Sequence, residues 1–218
     1  MVVVIVGGHG KIALRLEKLL AERGHTARGL IRNADHAADL SERGAEPVIC
    51  DVEAADDISE HVAGADAVVF AAGAGPGSGS ERKRTVDYGA AVKLIDACKA
   101  TGVRRYLMIS AISVDRPDRW SAQMRPYFEA KRDADEALLA AGLDHTIVRP
   151  GGLTDDPGAG LIEVGTPLES SGQIPRDDVA ATLLACLDEP GTIGLAFDVV
   201  GGETPISEAV ARLAARGS

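Results

Sequence analysis

The fold is decided by residues 2–13, which read Val-Val-Val-Ile-Val-Gly-Gly-His-Gly-Lys-Ile-Ala. The unbroken β-branched run Val2–Val6 predicts a strand buried on both faces, as in a parallel sheet. Gly7 and Gly10 then allow a tight turn and a close approach of the backbone to a ligand. A helix pattern starts at once and directs its free N–H groups at that turn, which suits a phosphate. We therefore predict that the opening turn binds a dinucleotide.

Strand-like and helix-like segments alternate along the rest of the chain. The predicted strands are Val2–Val6, Thr26–Ile31, Pro47–Cys50, Ala67–Phe70, Arg104–Ile109, His145–Val148 and Leu195–Val199. The predicted helices are Lys11–Arg23, Arg84–Thr101, Tyr127–Ala141, Asp177–Leu187 and Ser207–Ala215. Short links between them predict right-handed crossovers, and hence a Rossmann-type α/β fold. Its doubly wound parallel sheet would have about seven strands with helices on both faces.

Two segments interrupt this alternation, Gly73–Ser80 and Pro150–Pro175, and both are rich in residues that favour loops. We expect them as long loops at the carboxyl ends of strands, where open α/β sheets bind their ligands. The chain has 218 residues and 45% hydrophobic content, which fits one domain over residues 1–218. Residues 150–175 would then form a small substrate-side insertion.

Composition and charge favour some partners over others. The net charge of −10 disfavours a nucleic-acid surface, since phosphate backbones are bound by clustered cations. The sequence contains neither a stretch of membrane-spanning length nor a basic leader, so we expect a cytoplasmic protein without a membrane partner. Cys50, Cys98 and Cys186 lack metal or redox spacing, which predicts no metal site and fits a reducing compartment. The expected partner is a small-molecule substrate, and the sequence favours no particular oligomeric state.

The glycine spacing is Gly7-x-x-Gly10-x-x-Ala13, a variant of the Gly-x-Gly-x-x-Gly dinucleotide fingerprint. Arg32 follows the second strand, where an NAD enzyme places an acid for the ribose 2′-hydroxyl. A guanidinium suits a 2′-phosphate instead, so the sequence favours NADP(H) and leaves NAD(H) open. The alternative for Arg32 is a solvated surface side chain. His9 and Lys11 flank the turn and would add charge near the phosphates.

Two further strand ends carry candidate cofactor contacts. Asp51 and Val52 follow the third strand and are expected at the adenine edge. Ala71, Ala72 and Gly73 follow the fourth strand, where small residues let a cofactor lie against the backbone. The alternative for both groups is ordinary loop composition.

The candidate catalytic pair is Tyr127 and Lys131, which share one face of a predicted helix. A free tyrosine has a pKa of about 10, and a nearby ammonium lowers it by stabilising the phenolate. The tyrosine would exchange a proton with the substrate while hydride moves to or from the cofactor. Ser110 or Ser113, after the fifth strand, would orient a carbonyl; the alternative is a serine that caps the turn. For the pair, the alternative is a half-buried Tyr beside an exposed Lys.

Five motifs occur in an order that resembles the atypical short-chain dehydrogenase/reductase superfamily. They are the glycine turn, Val86-Asp87-Tyr88-Gly89 opening a long helix, Tyr127-x-x-x-Lys131, Arg149-Pro150-Gly151, and Ile174-Pro175-Arg176-Asp177-Asp178-Val179-Ala180. The chain most resembles the compact NAD(P)H-binding branch with NmrA-like and biliverdin-reductase-B-like proteins and many members named as epimerases or dehydratases. True sugar-nucleotide epimerases have a larger C-terminal substrate domain, which counts against a bulky nucleotide-sugar substrate.

The resemblance implies a role for each site residue. At the pyrophosphate it implies Gly7, His9, Gly10, Lys11 and Ile12; at the 2′-phosphate Arg32; at the adenine Asp51 and Val52; at the ribose Ala71, Ala72 and Gly73; at the nicotinamide ribose Lys131; and beside the nicotinamide Pro150, Gly151, Gly152 and Leu153. We expect an NADP(H)-dependent oxidoreductase acting on a small carbonyl, flavin or quinone. Two alternatives stay open, namely a redox-sensing NADP-binding regulator without turnover, and an NAD-dependent isomerase of the epimerase/dehydratase kind.

Overall fold

The apolar run that opens the chain forms a strand with neighbours on both sides. In the computed structural model, Val2–Val6 (β1) pairs in parallel with Thr26–Ile31 (β2) and Ala67–Phe70 (β4). The structure describes residues 1–75, 77–169 and 172–217. Pro76, in the predicted loop Gly73–Ser80, lies outside the described residues, as do Ser170 and Ser171 of the predicted segment Pro150–Pro175, and Ser218.

The remaining elements follow in strand–helix alternation. The other strands are Glu46–Ile49 (β3), Arg105–Ile109 (β5), Asp144–Pro150 (β6), Gly152–Thr154 (β7), Leu161–Gly165 (β8), Gln173–Pro175 (β9), Leu195–Gly201 (β10) and Thr204–Pro205 (β11). The α-helices are Lys11–Glu22 (α1), Ala37–Glu42 (α2), Ser59–Val62 (α3), Ser80–Arg82 (α4), Ala90–Thr101 (α5), Arg125–Leu139 (α6), Arg176–Asp188 (α7) and Ile206–Gly217 (α8). Short 3₁₀ turns occupy Ala34–His36, Pro117–Arg119 and Pro190–Thr192.

The main sheet has the strand order β11-β8-β10-β6-β5-β4-β1-β2-β3. β1 to β6 and β10 run parallel to one another, while β8 runs antiparallel to β10 and β11. The strand order reverses on either side of β1, which is the topological switch point of a doubly wound sheet. The predicted Rossmann-type fold is therefore confirmed.

The predicted number of strands was wrong, because the described residues form a nine-stranded sheet and a second sheet of two strands. The extra strands come mainly from the segment Pro150–Pro175, which was expected to be a loop. It contains β7 and β9, which pair in parallel, and β8, which extends the main sheet beyond β10. Glycine, proline and aspartate obscure these strands in the sequence, since they disfavour strands that must stand alone. Here each strand is stabilised by pairing with a distant partner.

The helix predicted over Arg84–Thr101 begins earlier than expected, at Ser80, and contains a π-helical segment at Lys83–Gly89. Val86 and Asp87 of this segment are buried. Single π turns within helices are rare, and they are found frequently at functional sites. Here the π turn faces α6, so its buried carboxylate points toward the helix that carries Tyr127.

Side chains of β1 alternate between two hydrophobic layers. Val3 and Ile5 belong to the layer that includes residues of α1, α7 and α8, whereas Val4 and Val6 belong to the layer with residues of α5 and α6. Burial on both faces explains why the strand is uninterruptedly apolar. In the described part of the chain, every helix is too short or too polar to cross a membrane.

Candidate functional site: a nucleotide cleft beside a buried lysine

The glycine turn packs directly on the end of β4. Gly7 has a φ of +84°, and a Cβ atom there would lie 2.7 Å from the Cα of Ala72. Its carbonyl accepts a hydrogen bond from the Gly10 N–H at 2.8 Å, and α1 begins at the next residue. Only glycine combines this left-handed backbone with so close a neighbour. The turn thus exposes bare backbone and the start of a helix, which is the arrangement that binds phosphate.

A cavity of about 290 Å³ opens above this turn, at the carboxyl ends of β1 to β4. It is lined by nine of the residues predicted to bind the cofactor: Gly7, His9, Gly10, Arg32, Asp51, Val52, Ala71, Ala72 and Gly73. Its other lining residues are Val6, Leu30, Ile31, His36, Cys50, Glu53, Arg82, Val86 and Ala90. The lining residues come from the carboxyl ends of four strands, β1 to β4. A nucleotide site at the switch point of a doubly wound sheet is expected in this place.

The rim at the end of β2 carries several polar side chains. Arg32 is exposed there. The ring of His9 stacks on the ring of His36, with centroids 3.6 Å apart, and His9 Nε2 lies 2.7 Å from Asp39 Oδ2. The sequence did not predict His36 and Arg82 as residues of the cleft. His36 reaches it from the 3₁₀ turn Ala34–His36 and Arg82 from α4, and neither segment directly follows a strand of the predicted site. His36 lies four positions after Arg32, and the helix-forming run Ala34-Asp35-His36 was the one available signal.

Lys11 and Ile12 lie outside the cavity. The Lys11 ammonium binds Asp155 Oδ2 at 2.6 Å, and Arg176 Nη1 binds Asp155 Oδ1 at 2.9 Å. The hydrogen bond from Lys11 lowers the pKa of Asp155. Ile12 packs into the hydrophobic core. The first ion pair links the start of α1, directly after the glycine turn, to the segment Pro150–Pro175, and the second links that segment to the start of α7.

Lys131 is buried, with 4% of its surface exposed, and its neighbours hold it in place. Its ammonium donates to the Ile109 carbonyl at 3.0 Å and lies 3.4 Å from Asp87 Oδ1. Asp87 Oδ2 in turn accepts from the Ala74 N–H at 3.3 Å. The alternative of an exposed lysine at this position was therefore wrong. The ammonium lies where β5 ends, against the loop that follows β4.

Tyr127 is half-buried at the start of α6, on the same helix face as Lys131. Burial raises the pKa of Tyr127; the charge of Lys131 lowers it, and the carboxylates of Asp87 and Asp135 raise it further. Lys131 acts in the predicted direction, but burial outweighs it, so the net shift of the pKa is upward. In the free protein, Tyr127 is thus a phenol that can donate a proton.

The two candidate serines differ in their surroundings. Ser110 is buried and faces Asp135, a carboxyl whose pKa is raised by burial although Arg149 Nε lies 3.0 Å from it. Ser113 is half-buried and has a φ of +64°, which is strained for a serine and costs on the order of 1 kcal/mol. Its carbonyl accepts from Trp120 Nε1 at 2.8 Å, which holds the strained turn.

Pro150, Gly151, Gly152 and Leu153 leave the end of β6, beside the end of β5. The Ile112 N–H donates to the Pro150 carbonyl at 3.0 Å, and the Gly152 N–H donates to the Gly172 carbonyl at 2.9 Å. A Cβ at Gly151 would collide with the Gly172 carbonyl. The backbone segments that lead into β7 and β9 therefore pass each other closely, which requires glycine at position 151. These four residues, Tyr127 and Lys131 share the carboxyl edge of the sheet with the cavity but do not line it.

A glycine turn and a cleft at the switch point of a parallel sheet define a nucleotide-binding protein of Rossmann type. The chain matches the sequence profile of the family described as NAD(P)H-binding over residues 7–190, and it belongs to that family.

Similar proteins of nearly the same length are known. The chain is 39% identical over 215 residues to the uncharacterized sugar epimerase YhfK of Bacillus subtilis (strain 168), covering 98% of this chain and 100% of that one. A Bacillus halodurans protein that carries the name NAD-dependent epimerase/dehydratase has a structure with a TM-score of 0.93 and 37% identity, covering 97% and 99% of the two chains. The oxidoreductase ylbE from Lactococcus lactis follows with a TM-score of 0.85 and 28% identity, covering 98% and 96%.

Proposed function

We propose that this protein is an NADP(H)-dependent oxidoreductase that transfers a hydride between the nicotinamide and a small carbonyl, flavin or quinone. One observation carries the proposal. Tyr127, held as a phenol, shares a helix face with a buried ammonium at the same sheet edge as the nucleotide cleft. A proton donor and a hydride carrier at one edge are what reduction of such a substrate requires.

The residues of the cleft fit the cofactor. The turn has no room for a side chain at Gly7 and little at Gly10, and it offers backbone N–H groups to a pyrophosphate. Arg32 would grip the 2′-phosphate, which supports NADP(H) over NAD(H). Asp51 and Val52 would meet the adenine; the Asp51 carboxylate already accepts from the Glu53 N–H at 3.0 Å and shapes that loop. When bound, the cofactor supplies or accepts the hydride.

The proton is handled by residues of α6 and β5. In the reductive direction, the Tyr127 proton would go to the substrate atom on which negative charge develops as hydride is added, an oxygen of a carbonyl or quinone or a ring nitrogen of a flavin, and water would later restore the phenol. Lys131 would hydrogen-bond the nicotinamide ribose and stabilise the phenolate left behind. Ser113, half-buried in its strained turn, and the buried Ser110 remain the two candidates for orienting the substrate carbonyl.

The proposal also covers the domain that carries this site and the cellular location of the protein. Residues 1–218 would act as one NAD(P)-binding domain of short-chain dehydrogenase/reductase type, with residues 150–175 on the substrate side. A cytoplasmic location is supported by the three cysteines, which are all free and buried. Burial raises the pKa of Cys98 and of Cys186 to about 12, so neither offers a thiolate nucleophile at neutral pH.

An isomerase of the epimerase/dehydratase kind is the second candidate, because two of the similar proteins carry such names. Such an enzyme first removes a proton from a substrate hydroxyl, which calls for a phenolate. The raised pKa of Tyr127 disfavours that phenolate in the free protein.

The experiment is a turnover screen. Purified protein with NADPH is offered a panel of carbonyls, quinones and flavins, and oxidation of NADPH is followed by the loss of its absorbance. We expect at least one acceptor to give catalytic turnover. Tight NADPH binding with no turnover on any acceptor would refute the reductase and support the cofactor-sensing regulator, while NAD retained through purification would support the isomerase.

A further inference from the structure

The loop that follows β3 is fastened to α5 by one side chain, that of Lys93. Its ammonium donates hydrogen bonds to three backbone carbonyls of the loop, those of Val52 at 3.0 Å, Glu53 at 2.8 Å and Ala55 at 2.6 Å. An ammonium has three N–H donors, so these carbonyls use all of them. Lys93 is half-buried, and Ala90, one turn earlier on the same helix, lines the cleft itself.

The other end of the same loop is organised by Asp51. Its Oδ1 accepts from the Glu53 N–H at 3.0 Å and from the Ala54 N–H at 3.3 Å, and its carbonyl accepts from the Ala55 N–H at 2.8 Å. Asp51 thus satisfies N–H groups of the turn, and Lys93 satisfies its carbonyls. The two side chains act on this turn as caps act on a helix, with the cation at the carbonyl end, where its charge is favourable.

The part of the loop that Lys93 holds is also a wall of the cleft, because Asp51, Val52 and Glu53 all line the cavity. Within the described ranges of the chain, the Val52 N–H and Asp51 Oδ2 have no hydrogen-bond partner. A free N–H close to a free carboxylate oxygen complements a ring edge that carries an amino donor and a nitrogen acceptor, as adenine does. The conformation of the loop therefore determines whether this complementary pair is presented to a ligand.

Lys93 can act on a ligand only through the loop. It is not among the described residues that line the cavity, and its three donors point to the loop carbonyls. A loop that is already ordered in the free protein does not have to be ordered by the ligand, and this raises the affinity.

We propose that Lys93 is a positioning residue for the cofactor, which holds residues 51–55 in the conformation that receives the adenine. The inference rests on the proposed function for the identity of the ligand. The hold of Lys93 on the loop concerns the free protein, and it can be measured without any acceptor substrate.

The test compares wild type with Lys93→Met, which removes the three donors and keeps an unbranched side chain. Calorimetry gives the Kd for NADPH and for adenosine 2′,5′-bisphosphate, which has the adenine, the ribose and the 2′-phosphate but no nicotinamide. We expect both Kd values to rise by about tenfold, while kcat at saturating NADPH stays nearly unchanged, because binding is weakened and proton transfer is not. Lys99→Met, which alters an exposed lysine on the same helix, should change neither quantity.

Amide hydrogen exchange of the free protein measures the hold on the loop directly. In Lys93→Met, the amides of residues 53–55 should exchange about tenfold faster than in wild type. Lys93→Gln keeps two N–H donors and should give intermediate exchange rates and intermediate Kd values. It replaces Lys93→Met in both measurements if that variant does not fold.

Faster exchange with an unchanged Kd for adenosine 2′,5′-bisphosphate would mean a purely structural lysine and would overturn the proposal, as would an unchanged exchange rate. Failure of the reductase proposal gives a different result, namely the expected changes in Kd and exchange in a protein that turns over no acceptor. A wild type that binds neither NADPH nor adenosine 2′,5′-bisphosphate would overturn both proposals.

Discussion

At the scale of single residues, the sequence predicts where some side chains lie, while their roles stay predictions. Spacing on a helix places Tyr127 and Lys131 on one face, and position after β2 places Arg32 at the rim of the cleft. Asp87 was not predicted as a site residue, although it lies within a quoted motif. Its contact with Lys131 joins two helices far apart in the chain, and a π turn orients it. Neither feature has a local signal.

Arg32 provides the first prediction at this scale. Replacing it in Arg32→Ala should weaken NADPH binding by about tenfold to a hundredfold, because charge-assisted hydrogen bonds to the 2′-phosphate are lost. NADH binding should be nearly unchanged. Calorimetric titration with both cofactors measures this, and Arg216→Ala, an exposed arginine in the last helix, serves as the control. Equal losses for NADPH and NADH would refute the 2′-phosphate assignment.

Elements were predicted best where their pattern was local. The alternating strands and helices of the Rossmann core carry strong periodicity, so their existence was predicted and their bounds were off by a few residues. The strands β7, β8 and β9 were missed because pairing with distant partners stabilises them. Leu161-Ile162-Glu163-Val164 does alternate, with Ile162 buried and Glu163 exposed, and this short pattern was the available signal for β8.

Helix α1 carries a buried titratable group that the site does not use. Glu17 is fully buried beneath Gly8 and Gly29, and burial raises its pKa to about 8 although the charge of Arg43 lowers it. Its carboxyl is therefore neutral in the folded protein at neutral pH and ionised in the unfolded chain. Since the folded-state pKa is raised, the stability from this group is complete below pH 4.5 and is lost as the pH rises towards 8.

The second prediction follows from this linkage. Glu17→Gln should match the wild type in free energy of unfolding near pH 4.5 and exceed it by a few kcal/mol at pH 8 or above. Denaturant unfolding at several pH values measures the difference. Glu22→Gln, an exposed glutamate at the end of the same helix, should show no such pH-dependent gain. A constant offset between Glu17→Gln and wild type at every pH would contradict the buried, neutral carboxyl.

At the scale of the whole molecule, the cofactor cleft ties distant parts of the chain together. The cavity joins the ends of four strands, and the ion pairs of Asp155 connect residues 150–175 to the start of α1 through Lys11 and to α7 through Arg176. A ligand in this cleft should therefore stabilise the entire fold. By mass action, NADPH at a hundred times its Kd should add about 2.7 kcal/mol.

Thermal unfolding measures that third prediction. With NADPH at about a hundred times its Kd, Tm should rise by about 5–10 °C for a chain of this size. NADH at the same concentration should raise Tm less, and Arg32→Ala should reduce the NADPH effect to the level of NADH. A Tm that NADPH leaves unchanged would contradict a cofactor site in this cleft.

The central claim is that Tyr127 donates the proton in an NADPH-dependent reduction. Its most direct test compares NADPH oxidation by wild type and Tyr127→Phe, using the best acceptor of the turnover screen and a calorimetric Kd for NADPH. We predict that kcat falls by about 10²–10⁴-fold while the Kd stays nearly constant, because only the proton transfer is lost. Tyr88→Phe, which alters a half-buried tyrosine on the π segment, should retain turnover. An unchanged kcat in Tyr127→Phe would contradict the account.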